Sequence, residues 1–209
     1  MPLDRTFFLC DAVTLAKKLI GRELIHNSVD GLTSGIIVET EAYAGRSDTA
    51  CHSHKKKGPS KGARTNVMFG PGGHAYIYLI YGMYHCFNVI ANLEDEPEGV
   101  LIRALKPQGG VELMRRRRGC ADVKNLCSGP GKLCIAMGIT KKHYGQDLCE
   151  GELHIENGQP IDDTRILATP RINVDYAGDD ALLPYRFVIA DSPFLSTRRF
   201  LPKVAKAKR

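Results

Sequence analysis

The sequence has no tryptophan, no C-x-x-C pair, and no apolar run approaching the ~18 residues that a membrane helix needs. Its start, MPLDRTFFLCDAVTLAKKL, lacks a basic segment followed by an apolar core, which excludes a recognisable signal peptide. The expectation is a protein that stays inside the cell. Seven cysteines, at 10, 51, 86, 120, 127, 134 and 149, are odd in number and scattered. A disulfide framework is therefore not expected, and reduced thiols in a cytosol-like compartment are. Cys51, His52 and His54 lie close together, yet no second ligand pair stands at zinc-like spacing, so no metal is expected in the site. There is also no G-x-S-x-G nucleophile elbow and no complete phosphate loop; no cofactor is implied.

What is present is ordinary in bulk: 209 residues, 43% hydrophobic and 25% charged, read as one domain over residues 1–209. The net charge of +6 is unevenly spread, with basic clusters at 55–57, 115–118 and 203–209. Charge runs are usually solvated surface, but three of them raise the prospect of a polyanionic partner, nucleic acid first.

Asp11 can cap a helix whose apolar stripe is Val13, Leu15, Leu19 and Ile20, stopped by Gly21. Residues 24–27 and 32–41 read as strands, the second delivering carboxylates at its end. Residues 44–74 are rich in Gly, Ser, Thr and Lys without periodicity, a long loop of the kind that carries function. Residues 99–107 read as a strand, 111–118 as a helix ending at Gly119, and 132–138 as a helix following Gly129-Pro130-Gly131. Further strands are expected at 153–155, 166–168, 171–174 and 185–189. Strands follow strands more than they alternate with helices, which predicts an α+β fold on a curved, mainly antiparallel sheet, open and barrel-like, with peripheral helices.

The chain is organised around residues 75–90, AYIYLIYGMYHCFNVI, which hold four of the eight tyrosines about a single glycine. β-Branched and aromatic residues on both sides of Gly82 predict a protruding β-hairpin. A two-residue turn at Gly82-Met83 would send Tyr78 and Asn88 to opposite faces; a three-residue loop, Tyr81-Gly82-Met83, would put them on one face. In either case Tyr81 and Met83 occupy the tip, where large apolar side chains are unusual. They either pack against a neighbouring loop or form a wedge able to enter a stack of bases.

Glu39 and Glu41 stand two apart and share a side of the strand if it is regular there. Like charges so held disfavour ionisation of one partner, which suits a general acid or base. The alternative is one exposed glutamate and one tied to a basic side chain. Gly129-Pro130-Gly131-Lys132 is only half a phosphate loop, and its modest use would be a helix N-terminus that grips one phosphate together with Lys132.

Together VETEAY, the downstream His52, YIYLIYGMYHCFN, VLIRAL, LCSGPGKLC and RFVIADSPFLS resemble the alkyladenine (3-methylpurine) DNA glycosylase family from about residue 5 to about residue 200, with the motifs in the family's order. The resemblance implies a monofunctional hydrolase that flips alkylated or deaminated purines out of double-stranded DNA and cleaves the N-glycosidic bond in base excision repair. On that pattern Glu41 is the general base that activates water, Arg103 helps to hold the water, and the main-chain carbonyl near Ile172 is a further contact. Tyr43 and Tyr78 sandwich the extruded base, with His52 on its other side, and Asn88 crowds the minor-groove edge against normal guanine. Tyr81 fills the gap left in the duplex, with Met83 beside it, and the shared pocket of Tyr78 and Asn88 favours the three-residue loop. The lysine-rich stretch 55–61, Asn173 in PRINV and Phe194 depart from the human-like pattern and bear on the lesion range. The resemblance further implies a monomer acting on damaged duplex DNA with no membrane partner. A chain without a long N-terminal extension suggests a bacterial-type cytoplasmic protein at the nucleoid, or a nuclear one if eukaryotic. A non-catalytic binder of damaged DNA would use the same hairpin without Glu41, whereas a hydrolase of free nucleosides would need Glu41 but not Tyr81.

Overall fold

The computed structural model describes residues 1–159 and 161–202. Eight strands form one antiparallel sheet that does not close into a barrel: β1 (Glu23–Ser28), β2 (Gly31–Tyr43), β3 (Ala75–Ile80), β4 (Tyr84–Ala91), β5 (Glu98–Pro107), β6 (Leu153–Glu156), β7 (Ile166–Thr169) and β8 (Arg186–Ile189). The main path runs β3-β4-β5-β2-β1-β6, with β8 pairing to both β2 and β7. The fold is α+β, as the order of elements predicts.

β2 is the spine. Its thirteen residues are buried from Thr33 to Ala42, which is why its sequence reads as an unbroken run rather than an alternating one. One edge pairs with β5; the other pairs with β1 over its first half and with β8 at Glu39, Thr40 and Glu41. The register against β5 slips on either side of Glu39, a bulge that bends the strand where it carries its acids.

The helix α1 (Ala12–Leu19) lies on β2, with the Thr40 hydroxyl donating to Ala16 O at 2.9 Å. Asp11 caps it by accepting from Thr14 N, and Gly21, at φ +84°, turns the chain away. Phe8, Leu15, Leu19, Ile37, Phe87, Ile102, Leu105 and Met114 fill the main core. A smaller cluster of Cys51, Met68, Tyr76 and Ile90 underlies the loop 44–74.

The helix α2 (Val111–Arg118) ends at Gly119 as expected, and a short helix, α3 (Val123–Leu126), which its composition did not signal, follows it. The helix α4 (Pro130–Met137) begins two residues earlier than the sequence suggested, because Pro130 sits in its first turn where its missing N–H is no loss. The expected strand at 171–174 is absent. Asn173 takes a left-handed φ of +60°, and Arg171 and Ile172 direct their polar groups inward to Asp48 and Glu41 rather than to a neighbouring strand. The basic tail, 203–209, lies outside the described residues.

The hairpin pairs Ile80 with Tyr84, leaving Tyr81-Gly82-Met83 as a three-residue loop. Tyr78 faces Cys86 and Tyr76 faces Asn88 across it, so Tyr76, Tyr78 and Asn88 share a face. Both Tyr81 (φ +54°) and Gly82 (φ +70°) are left-handed; the glycine takes this freely, whereas a tyrosine there is a strained exception. Tyr81 is 76% exposed and Met83 65%, and neither packs against a neighbouring loop.

Candidate active site

β2 carries Glu41 past the bulge to the edge of a cleft of about 530 Å³ whose walls include Tyr43, Tyr78, Tyr81, Arg103, Ile172 and the first residues of α4. Glu41 is fully buried and accepts three hydrogen bonds: from the Tyr43 hydroxyl at 3.0 Å and Arg103 Nη1 at 3.2 Å on Oε2, and from Ile172 N at 2.7 Å on Oε1. Ile172 reaches the acid through its amide. One acceptor direction of Oε1 is left over.

Glu39 is equally buried and accepts four hydrogen bonds. Its Oε1 accepts from Arg103 Nε at 3.0 Å, Arg186 Nε at 2.8 Å and Ser196 Oγ at 2.8 Å, and its Oε2 from Ser196 N at 2.7 Å. Neither glutamate is exposed, and both are tied to Arg103, so the picture of one exposed and one tied acid does not hold. Burial opposes the charge of Arg103, but Glu41 and Glu39 outweigh it and hold the guanidinium charged far above neutral pH.

Behind the cleft a cavity of about 50 Å³ is lined by Tyr43, Ala50, Cys51, His52, Met68, Tyr76, Tyr78, Asn88, Gly99 and Tyr176. Burial, with Glu41 second, pushes the Tyr43 hydroxyl well up, so it stays a donor to the acid. Burial likewise raises Tyr76 and Tyr78. His52 is held down to about 4 by burial and then by Arg64 and Lys56, so it is neutral at pH 7. Its Nδ1 is hydrogen-bonded to the Tyr76 hydroxyl at 3.0 Å, and its ring meets Tyr78 edge-on at 4.7 Å. Asn88 Nδ2 donates to Tyr76 O at 3.0 Å. The wall is thus neutral and aromatic throughout. His54 Nδ1 lies 3.0 Å from Arg46 O and Cys51 Sγ 3.1 Å from Ser53 Oγ, so the Cys51-His52-His54 group is divided among separate partners.

A second buried pair frames the site. Arg171 Nη2 donates to Asp48 Oδ1 at 2.9 Å, Nη1 to Ala42 O at 3.0 Å, and the guanidinium stacks 5.0 Å from the Tyr43 ring. It fixes both Tyr43 and the neighbouring Ile172 amide. Sequence reading missed this pair, because Asp48 and Arg171 lie 123 residues apart. It also missed Tyr76, which the alternation with Tyr78 could have revealed, and Tyr176, for which VDYAGDD carries no signal.

Lys132 stands in the first turn of α4, its Nζ 3.3 Å from Asn125 Oδ1 and 3.5 Å from Ser128 Oγ, both neutral partners. Gly131 lets that turn approach the hairpin: a Cβ there would lie 3.1–3.3 Å from Tyr84. The cluster 115–118 differs. Arg115 pairs with Glu112, Arg117 with Asp30 at 3.2 Å, and Arg118 donates to Leu126 O at 3.2 Å, so three of its four charges serve the fold.

Residues 6–193 match the family described as methylpurine-DNA glycosylase (MPG). A Bacillus cereus (strain G9842) protein provisionally named 3-methyladenine DNA glycosylase is 49% identical over 210 residues, covering 95% of this chain and 100% of the relative. A Bacillus mycoides (strain KBAB4) protein of the same provisional name is 48% identical over 207 residues, covering 94% and 100%.

Proposed function

The chain belongs to the methylpurine-DNA glycosylase family, and on that premise we propose that it flips alkylated or deaminated purines out of duplex DNA and hydrolyses their N-glycosidic bond with Glu41 as general base. The observation that carries this reading is that Glu41, a buried acid with an acceptor direction to spare on Oε1, is held by Tyr43, Arg103 and the Ile172 amide, whose residues all line an aromatic cleft. A water on that lone pair would give up its proton to Glu41 as it attacks C1′, a contribution worth ~10²–10⁴-fold. Arg103 orients the acid by donating to Oε2.

Tyr43, Tyr78 and His52 form the base pocket in this reading. Alkylated purines are often cationic, and neutral electron-rich rings favour a positive base. Stacking of ~1–3 kcal/mol per base offsets much of the unstacking of a weakened pair. The cavity of about 50 Å³ has room only for a few waters, so an entering purine would part the edge contact of His52 with Tyr78. Asn88, pinned by Tyr76 O, would crowd normal guanine. Tyr81 and Met83, exposed on a strained loop, would fill the gap in the duplex, and Lys132 at the α4 N-terminus would take a backbone phosphate.

No lysine takes the place of Glu41, which supports a monofunctional enzyme that leaves an abasic site. Single-turnover release of hypoxanthine and of ethenoadenine from a duplex oligonucleotide, comparing the intact protein with Glu41→Gln, tests the reading. Release that collapses in the variant while duplex binding persists supports it. Binding without release from either protein points instead to a damage binder, and a borohydride-trapped adduct with strand cleavage would overturn the monofunctional assignment.

A further inference from the structure

We propose that His26, His143 and Glu152 form a site for a first-row divalent cation, zinc foremost, apart from the glycosylase cleft and independent of its reaction. The three come from separate segments: His26 from β1, His143 from the 3-10 turn Lys141–His143, and Glu152 from the residue before β6. One ligand atom of each lies within 4.8 Å of the others. The imidazoles are 3% and 6% exposed, and their rings meet edge to face at 4.7 Å.

Hydrogen bonding sets the donor atoms. His26 Nδ1 lies 2.6 Å from Met137 O, and only a protonated nitrogen can donate to a carbonyl, so its Nε2 carries the lone pair. That Nε2 has no hydrogen-bond partner among the described residues. This is the arrangement in which a backbone carbonyl orients a metal-binding histidine. His143 has two choices: its Nδ1 can accept from Thr140 N at 3.0 Å or donate to Thr140 O at 3.1 Å. The second tautomer turns an Nε2 lone pair toward Glu152, whose Oε1 is 3.7 Å away.

Two further features suit a cation. Met137 is the last residue of α4, so the site stands at the helix end whose carbonyl dipoles favour positive charge. An open cleft of about 620 Å³, also lined by Asp30, gives access from solvent. Arg117, on the same cleft, is already answered by Asp30 at 3.2 Å, while Lys142 is the charge that limits affinity. Two imidazoles and one carboxylate are a borderline-soft set suited to zinc, with a fourth position left for water. The ion would pin the segment between α4 and β6 to β1.

Cobalt(II) titration of the chelator-treated full chain, followed by visible absorption and calorimetry with zinc competition, tests this. The expected result is one site with weak d–d bands and no thiolate charge-transfer band. Glu152→Gln, at a side chain 51% exposed, keeps the fold and should weaken binding about tenfold or more, the scale on which even an outer partner acts. His26→Asn should do the same. Equal affinity in both variants, a thiolate band that moves the ion to a cysteine, or no uptake at millimolar metal would each overturn the proposal.

Discussion

Glu39 and Glu41 leave the same strand two residues apart, are equally buried and share one arginine, yet they belong to different regions of the molecule. Around Glu39 the partners are internal: Arg103, Arg186 and Ser196 give it four hydrogen bonds, three of them on Oε1, and Arg186 is also bonded to Thr197 O. Around Glu41 the structure is left unfinished. The three groups that hold the acid line an open cleft, and the hairpin tip on the same cleft exposes Tyr81 and Met83 on a strained loop. Burial and charge are alike in both places, so neither tells the two acids apart; what separates them is that Tyr43, Arg103 and Ile172 all line the cleft whereas Arg186 and Ser196 do not.

The sharpest way to break this comparison is to neutralise each acid in turn. Glu41→Gln should lower single-turnover base release ~10²–10⁴-fold at a temperature where the variant is folded, with duplex affinity nearly kept and a smaller loss of stability than at Glu39, since Arg103 keeps its Glu39 partner. Glu39→Gln should act in the opposite currency: leaving two arginines short of a buried partner is expected to lower stability by ~3–5 kcal/mol, read as a fall in the denaturant midpoint. If Glu39→Gln folded normally and abolished release, the two acids would have been assigned the wrong way round.

His52 sharpens it next, because it sits in the unfinished region yet carries a stability signature. Its folded value, about 4, lies below the ordinary 6.5 through burial and then Arg64 and Lys56. Above pH 6.5 neither state binds the proton and the group is silent. As pH falls toward 4 the unfolded chain takes up a proton that the folded one refuses, so stability drops, by up to ~3 kcal/mol. His52→Gln should flatten the difference in stability between pH 6.5 and 4; an unchanged slope would show that the ring is not buried against those cations. Tyr81→Ala follows, and should weaken duplex binding or slow release by the ~1–3 kcal/mol of one stacking contact. Its melting temperature should not move, since the side chain touches solvent.

How far the sequence could carry this division depends on range. The strands, the cap at Asp11 and the stop at Gly119 are local and were legible, as was the three-residue loop once Tyr78 and Asn88 were required to share a face. The internal bonding of Glu39 was not, because Arg186 and Ser196 are 147 and 157 residues away. The same distance hides the Asp48–Arg171 pair, and with it the reason that 171–174 is irregular and not a strand. The charge runs were a mixed signal: the nucleic-acid partner they raised fits the family, yet Arg115, Arg117 and Arg118 are spent on the protein's own carboxylates and helix ends.

The smallest effect separates the basic residues along the same line. Lys132 has no carboxylate within 4 Å among the described residues and meets only Asn125 and Ser128 at long distances, so its charge is available beside the cleft. Arg118 is half-buried and donates to Leu126 O, so its charge serves the end of α3. A phosphate contact releases one condensed counterion, and its loss should reduce the slope of log affinity against log salt by about 1. Lys132→Ala should therefore bind damaged duplex more weakly at low salt, approach the intact protein at high salt, and melt normally. Arg118→Ala should keep the slope and lose a modest amount of stability. Were the slopes reversed, with Arg118→Ala flattening the salt dependence and Lys132→Ala leaving it untouched, the duplex would run along α2 and not across the N-terminus of α4, and the cleft at Glu41 would face away from it.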